Sequence, residues 1–213
     1  TALLGPSGTG KTTLLKCLAL LESPQEGRVV MDDVAYDFSV KNGAQWSPPW
    51  PQLTVVFQQL FLWPHLTLRG NILLPVAAKD PVVIHKRLNE LIEMFDMADF
   101  IDRYPNETSR GQQQRAALAR ALLLQPRYIL CDEITSALDV EQISKVLECL
   151  CLVKEQGVGI FLITHQLSFA RRSADQIVFM DGGRVVERGQ RDILSNPQTE
   201  RFAQFLKLVE AAH

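Results

Sequence analysis

The sequence has no long apolar stretch, no excess of one charge and few cysteines. Apolar runs such as Leu18–Leu21, Leu122–Leu124 and Gly159–Ile163 stop far short of the roughly 20 residues needed to span a bilayer, so the chain is not expected to cross a membrane alone. A basic, then apolar, start ending in a small-residue cleavage site is also missing. Lys+Arg number 22 against Asp+Glu 24, a net charge of −2. No charge excess therefore announces a nucleic-acid or membrane-surface partner, and the balance counts against a nucleic-acid one. The four cysteines, Cys17, Cys131, Cys149 and Cys151, include no C-x-x-C pair and lie in apolar or helical patterns. They read as buried, reduced thiols rather than metal ligands or disulfide partners. With 46% hydrophobic and 22% charged residues over 213 positions, collagen-like, disordered and disulfide-scaffold classes are excluded. One large domain, or one domain carrying an insert, remains.

Strand-like and helix-like segments alternate. Thr1–Leu4 reads as the end of a strand, followed by a glycine-rich turn and a helix to about Leu21. Arg28–Met31 and Leu53–Phe57 are further strand candidates. Tyr128–Asp132, Val158–Thr164 and Gln176–Met180 are short continuous apolar runs of the kind buried on both faces of a parallel sheet. Val140–Glu155 sets Ile143, Val146, Leu147, Leu150 and Val153 on one helical face. Asp181-Gly182-Gly183-Arg184 signals a hairpin into Arg184–Glu187. The alternation predicts an α/β fold with a mostly parallel sheet core. Two stretches break it. Tyr36–Pro51, with Trp46, Pro48, Pro49, Trp50 and Pro51, reads as a surface loop or variable insert. Residues 75–124 read as an inserted α-helical subdomain, leaving core segments at about 1–74 and 125–213.

Gly5-Pro6-Ser7-Gly8-Thr9-Gly10-Lys11-Thr12 matches G-x-x-x-x-G-K-[ST] in full, between a strand and a helix. Glycines at 5, 8 and 10 let backbone N–H groups converge on phosphate oxygens, and the following helix adds its positive end. Lys11 would meet the β- and γ-phosphates, Thr12 would bind Mg²⁺, and Thr13 would reach the α-phosphate region. Tyr128–Asp132 with Glu133 is an apolar strand ending in two carboxylates. Alone that pattern is common; beside a phosphate loop it is the second half of a nucleoside triphosphatase. Strand alternation would turn Asp132 and Glu133 apart, one toward the metal and one toward the attacking water. Asn106–Arg115 precedes a helical run and puts Ser109 and Gly111 at a helix N-terminus, a place for an anion.

These segments in this order resemble the ATPase domain of ABC transporters. The resemblance rests on Gly5–Thr12, Thr108-Ser109-Arg110-Gly111-Gln112, Asp132-Glu133, Ser136-Ala137-Leu138-Asp139 and Thr164-His165. Val56–Thr67 is similar to the family's glutamine loop. The resemblance implies the P-loop NTPase fold, ATP as the bound nucleotide and Mg²⁺ as the metal. It implies that Glu133 polarises the attacking water and that Asp132 holds Mg²⁺ through water. Gln58 would reach the metal and the water, and His165 the γ-phosphate. Two such domains, a second copy or a paralogous subunit, would pair head to tail. Ser109, Gly111 and Gln112 would then act on the partner's ATP, with Asp139 crossing the interface. Separate transmembrane permease subunits would supply the membrane path at its cytoplasmic face, indirectly served by a solute-binding protein. The wording around Phe61–Thr67 and Asn196–Leu206 is similar to the polar amino acid uptake branch, and Leu60–Pro75 would receive a helix of the permease.

Three departures stand out. Thr108 and Arg110 occupy signature positions where the family usually has leucine and glycine, and Ile134 replaces a usual proline. Arg110 either tunes the contact with the partner's ATP or points away. Only four residues precede the phosphate loop, against several tens in the family, which leads to the expectation of a fragment with weakened adenine binding. The alternatives are a non-transport ABC ATPase acting on nucleic acid or ribosomes, and a catalytically weak nucleotide-binding remnant. His65, His85 and Arg171-Arg172 read as packing or solvated surface residues.

Overall fold

The computed structural model describes residues 1–38, 49–76, 80–135 and 138–211. Trp46 and Pro48 of the predicted insert, and Ser136-Ala137, lie outside them.

Eight strands and seven α-helices are present among the described residues: β1 Ala2–Leu4, α1 Lys11–Leu18, β2 Arg28–Met31, β3 Val34–Asp37, β4 Leu53–Val56, α2 Leu68–Leu73, α3 Pro81–Met94, α4 Arg110–Leu122, β5 Tyr128–Asp132, α5 Val140–Glu155, β6 Gly159–Ile163, α6 Leu167–Ser173, β7 Gln176–Asp181, β8 Arg184–Gln190 and α7 Glu200–Ala211. The main sheet has the order β4-β5-β6-β1-β7-β8. All its pairings are parallel except β7 with β8, the predicted hairpin. β2 and β3 form a separate antiparallel pair.

The continuous apolar strands serve two faces because side chains alternate along them. Ile129, Cys131 and Leu162 pack with α2–α5 on one side, while Leu3, Leu130 and Ile163 join Leu15 of α1 and Tyr36 of β3 on the other. A third cluster docks α6 and α7 against β1 and β7, with Phe179 stacked on Phe202 at 4.5 Å between ring centroids.

Three expectations change. Tyr36 lies in β3, not in a loop, and β3 is tied to the main sheet through its turn: Asp32 accepts from Arg127 at 2.7 Å and from the Tyr128 hydroxyl at 2.5 Å. The first helix ends at Leu18 rather than Leu21, because Leu20 turns left-handed (φ 57°) and Leu21 N–H closes back onto Lys16 O at 2.9 Å, a helix-terminating geometry that glycine more often provides. All four cysteines are free thiols, but only Cys131 and Cys149 are buried, and burial pushes both up to about 12. No helix among the described residues is long and apolar enough to cross a membrane.

Candidate active site

The sheet register assembles the site. Leu3 of β1 and Asp132 of β5 both align with Ile163 of β6, and Val56 of β4 aligns with Cys131. The C-terminal ends of four adjacent parallel strands therefore lie side by side. From them emerge Gln58 after β4, Asp132 and Glu133 from β5, His165 after β6 and the phosphate loop after β1. Such strand ends are where open α/β sheets bind ligands.

Gly5 opens the loop. A Cβ there would stand 2.1 Å from Met180 O of β7, so only glycine lets the chain leave β1 so close to its neighbour. Gly10 is left-handed (φ 90°) at the N-cap of α1, which aims the first-turn N–H groups into the loop. The Lys11 ammonium is buried and donates to Gly5 O at 2.9 Å and Pro6 O at 2.8 Å. Burial lowers its pKa, and the charges of Glu133 and Asp132 raise it back in part. Thr9 braces the loop through its hydroxyl on Pro6 O at 2.9 Å. Pro6 is half-buried, and Ser7, Gly8, Thr12 and Thr13 are exposed.

Asp132 is buried, and burial raises its carboxyl above the usual carboxylate range despite a hydrogen bond from the Thr12 hydroxyl. Its Oδ1 has no hydrogen-bond partner among the described residues. An unpaired buried carboxylate oxygen is costly, and one bonded to the hydroxyl of a phosphate-loop threonine is the donor set a hard divalent cation takes. Mg²⁺ fits here: Asp132 and Thr12 would hold it, with Gln58 at the adjacent strand end.

Glu133 departs from the expected alternation. β5 ends at Asp132, and Glu133 adopts φ 47° while its N–H donates to Ile163 O at 3.0 Å. A left-handed residue, not a continuing strand, separates the two carboxylates. Glu133 Oε1 lies 2.6 Å from His165 Nε2. The contact is a hydrogen bond in which Nε2–H donates when the carboxylate is the acceptor. The buried Thr164 hydroxyl accepts from Gln166 N–H at 3.0 Å and fixes the turn on which His165 stands. Thr164 was missed as a positioning residue, although its hydroxyl two residues before a loop N–H is a recognisable turn signal.

Away from these strand ends, Ser109 caps α4. Its hydroxyl accepts from Gln112 N–H at 3.3 Å while Gln112 Oε1 accepts from Ser109 N–H at 2.9 Å, a reciprocal capping box. Gly111 is buried against α5: a Cβ there would stand 2.8 Å from Gln142 Oε1. Asp139 caps α5 through Gln142 N–H at 2.8 Å. Ser109, Gly111, Gln112, Arg115, Asp139 and Lys145 line one polar cleft of about 200 Å³. Gln142 was not singled out from the sequence; no local signal marks it.

A profile of the family described as "ABC transporter" matches residues 1–136. The chain belongs to the ABC transporter family. It is 39% identical over 213 residues to the L-cystine import ATP-binding protein TcyC of Bacillus subtilis (strain 168), covering 98% of this chain and 86% of that protein. It is 36% identical over 210 residues to the arginine transport ATP-binding protein ArtP of Escherichia coli (strain K12), covering 96% and 86%. The dimeric post-hydrolysis structure of the ATP-binding cassette MJ0796, bound to ADP and Pi, superposes with a TM-score of 0.75 at 32% identity over 89% of this chain and 84% of that one.

Glu133, in contact with His165, lies close enough to the phosphate loop for its charge to act on Lys11. A bound Mg²⁺ would neutralise phosphate charge. Phosphoryl transfer needs little covalent chemistry from protein, so holding these groups in place carries most of the rate. An apolar cavity of about 370 Å³ lined by Tyr128, Gly159 and Leu150 lies at the opposite, N-terminal edge of the sheet and contributes nothing to this chemistry.

Proposed function

We propose that the chain is the ATP-binding and ATP-hydrolysing subunit of an importer of polar amino acids, working at the cytoplasmic face of the membrane through separate permease subunits and indirectly served by a solute-binding protein. The observation that carries this reading is the convergence of the phosphate loop, the Asp132 and Glu133 pair, His165 and Gln58 at four adjacent strand ends. The amino acid substrate rests on relatives whose names specify L-cystine import and arginine transport.

Glu133 would take the proton of the attacking water, and Asp132, Thr12 and Gln58 would hold Mg²⁺. Ser109, Gly111, Gln112 and Asp139 share one cleft and would meet the nucleotide of a second copy or a paralogous subunit packed head to tail. Closing that dimer would complete each site, so hydrolysis would be tied to a motion. Beside Gln58, Phe61 and Trp63 are 59% and 53% exposed. An apolar pair at the rim of a nucleotide site is costly to leave in water, and a permease helix would cover it.

Phosphate release from the purified chain should be lost in Glu133→Gln, and a membrane permease should co-purify with the chain from detergent extract. Capture of ribosomes or nucleic acid instead would overturn the transport reading. A wild-type chain with no turnover would overturn the enzymatic one.

A further inference from the structure

One helix grips the backbone of the glutamine loop at both its ends. Arg110, the first residue of α4, donates from Nη2 to Gln58 O at 2.5 Å. Arg120, almost three turns further along, donates to Phe61 O at 2.8 Å and Leu60 O at 2.6 Å. The two arginines differ in setting. Arg120 is partly buried, and desolvation lowers its pKa; its two bonds fasten the loop to the helix. Arg110 and Gln58 are exposed, so their bond can break and re-form with water as the alternative partner. A guanidinium stays charged under all working conditions and makes the bond charge-assisted.

Arg110 also lies inside the capping box formed by Ser109 and Gln112 and directly precedes Gly111. Its backbone thus belongs to the segment facing the polar cleft, while its guanidinium holds the carbonyl of Gln58, the residue that would reach a bound Mg²⁺. We propose that Arg110 is a positioning residue that couples the two nucleotide sites of the working dimer. A shift of Gln58, when nucleotide fills the chain's own phosphate loop, is passed through the Arg110 bond to Ser109, Gly111 and Gln112, which serve the partner's nucleotide. Coupling of this kind is reciprocal, so engagement of the signature segment by the partner's nucleotide also steadies Gln58. This rests on the head-to-tail reading above. A glycine at position 110 would remove the Gln58 O bond and keep the Arg120 bonds to Leu60 O and Phe61 O.

Hydrogen exchange of the full chain tests the link, with and without Mg²⁺ and a non-hydrolysable ATP analogue, in wild type, Arg110→Ala and Arg110→Lys. Without nucleotide, amides of residues 58–61 should exchange roughly five-fold faster or more in Arg110→Ala, with thermal unfolding little changed. At chain concentrations that keep the protein monomeric, residues 58–61 and 108–112 should respond together to the analogue in wild type, while in Arg110→Ala only the phosphate loop and 58–61 respond. Arg110→Lys, which retains one charged donor, should restore part of both effects. The rate of ATP turnover against ATP concentration should be sigmoidal in wild type and approach hyperbolic in Arg110→Ala. Equal exchange of 58–61 in wild type and Arg110→Ala, an equal response of 108–112, or equal sigmoidality would each overturn the coupling. A wild-type chain that binds the analogue without turning over ATP refutes the enzymatic reading alone, since the exchange comparison still decides the role of Arg110. No protection of the phosphate loop by the analogue overturns both.

Discussion

His165 touches Glu133 at 2.6 Å, and that contact decides what its removal does. Without the Nε2–H donor, the Glu133 carboxylate loses its orientation but keeps its place in the chain, and the phosphate loop is untouched. His165→Ala should therefore lower kcat by about 10²–10³, the cost typical of losing one preorganised donor, with KM for ATP little changed; steady-state phosphate release checks this. Gly5 is the opposite kind of residue, one whose role is space. Gly5→Ala drives a Cβ to 2.1 Å from the Met180 carbonyl, a backbone atom that cannot swing aside. A loss of about 3 kcal/mol is expected, at the upper end of ordinary overpacking, read as a shift of the urea midpoint. Both residues were legible in the sequence, Gly5 by its fixed offset from Lys11 and His165 by its place in the order of motifs. Their physical reasons were not. The clash partner of Gly5 lies 175 positions away and the partner of His165 lies 32 away, and strand pairing alone brings them together. The left-handed turn at Glu133 was likewise invisible, because no glycine or asparagine marks it.

Elements were readable where their pattern is local. The phosphate-loop strand, α5 and the β7–β8 hairpin follow from apolar periodicity and Asp181-Gly182-Gly183-Arg184. β3 was missed because four residues containing Asp37, next to a proline- and tryptophan-rich tract, carry no strand signal of their own; pairing with β2 makes them a strand. Sheet order was not readable at all, since nothing in β1 says that it inserts between β6 and β7. The anchoring of α7 was equally non-local. Besides Phe202 and Phe205 against Phe179, Glu187 of β8 accepts from Gln198 N–H at 2.8 Å, Thr199 N–H at 2.8 Å and the Thr199 hydroxyl at 2.6 Å. The Arg171 guanidinium, expected to be merely solvated, pairs with Glu210 of α7 at 2.5 Å. Burial pushes the Glu187 carboxyl up, but the three hydrogen bonds outweigh it and hold the pKa below its ordinary value. A lowered folded pKa stabilises the fold above the unfolded value of about 4.3, and that stability is lost as pH falls through the folded pKa. Glu187→Gln, whose amide NH₂ cannot accept, should cost about 1.5–3 kcal/mol at pH 7. The gap to wild type should narrow below about pH 4, measured by urea unfolding across pH. An unchanging gap would mean that Glu187 works through packing instead.

At the scale of the whole molecule, the proposed function divides the groups for one nucleotide between two surfaces. The strand ends carry the phosphate loop, Asp132, Glu133 and His165, whereas Ser109, Gly111, Gln112 and Asp139 surround a separate cleft. A single chain offers the second set no phosphate of its own to bind. Two chains packed head to tail would satisfy both sets, with two nucleotides lying between them. Such an interface contains its ligand, so its strength depends on the nucleotide: whatever binds the closed dimer and not the open form shifts the equilibrium by mass action. Hydrolysis would remove that ligand and reopen the pair, so a chain that binds ATP without cleaving it should remain closed. Glu133→Gln is that chain, since it retains the phosphate loop and the Asp132 and Thr12 pair. With Mg²⁺ and ATP it should sediment as a dimer, and with ADP as a monomer. Wild type under the same ATP should show the dimer only transiently. Adding Ser109→Ala to Glu133→Gln should weaken the ATP-dependent dimer by roughly ten-fold or more, a change of about 1.4 kcal/mol, while leaving ATP binding to the monomer in place. Titration of dimer fraction against chain concentration reads this directly. A Glu133→Gln chain that remains monomeric at every nucleotide would refute the shared-site arrangement, and with it the role given to the Ser109 cleft.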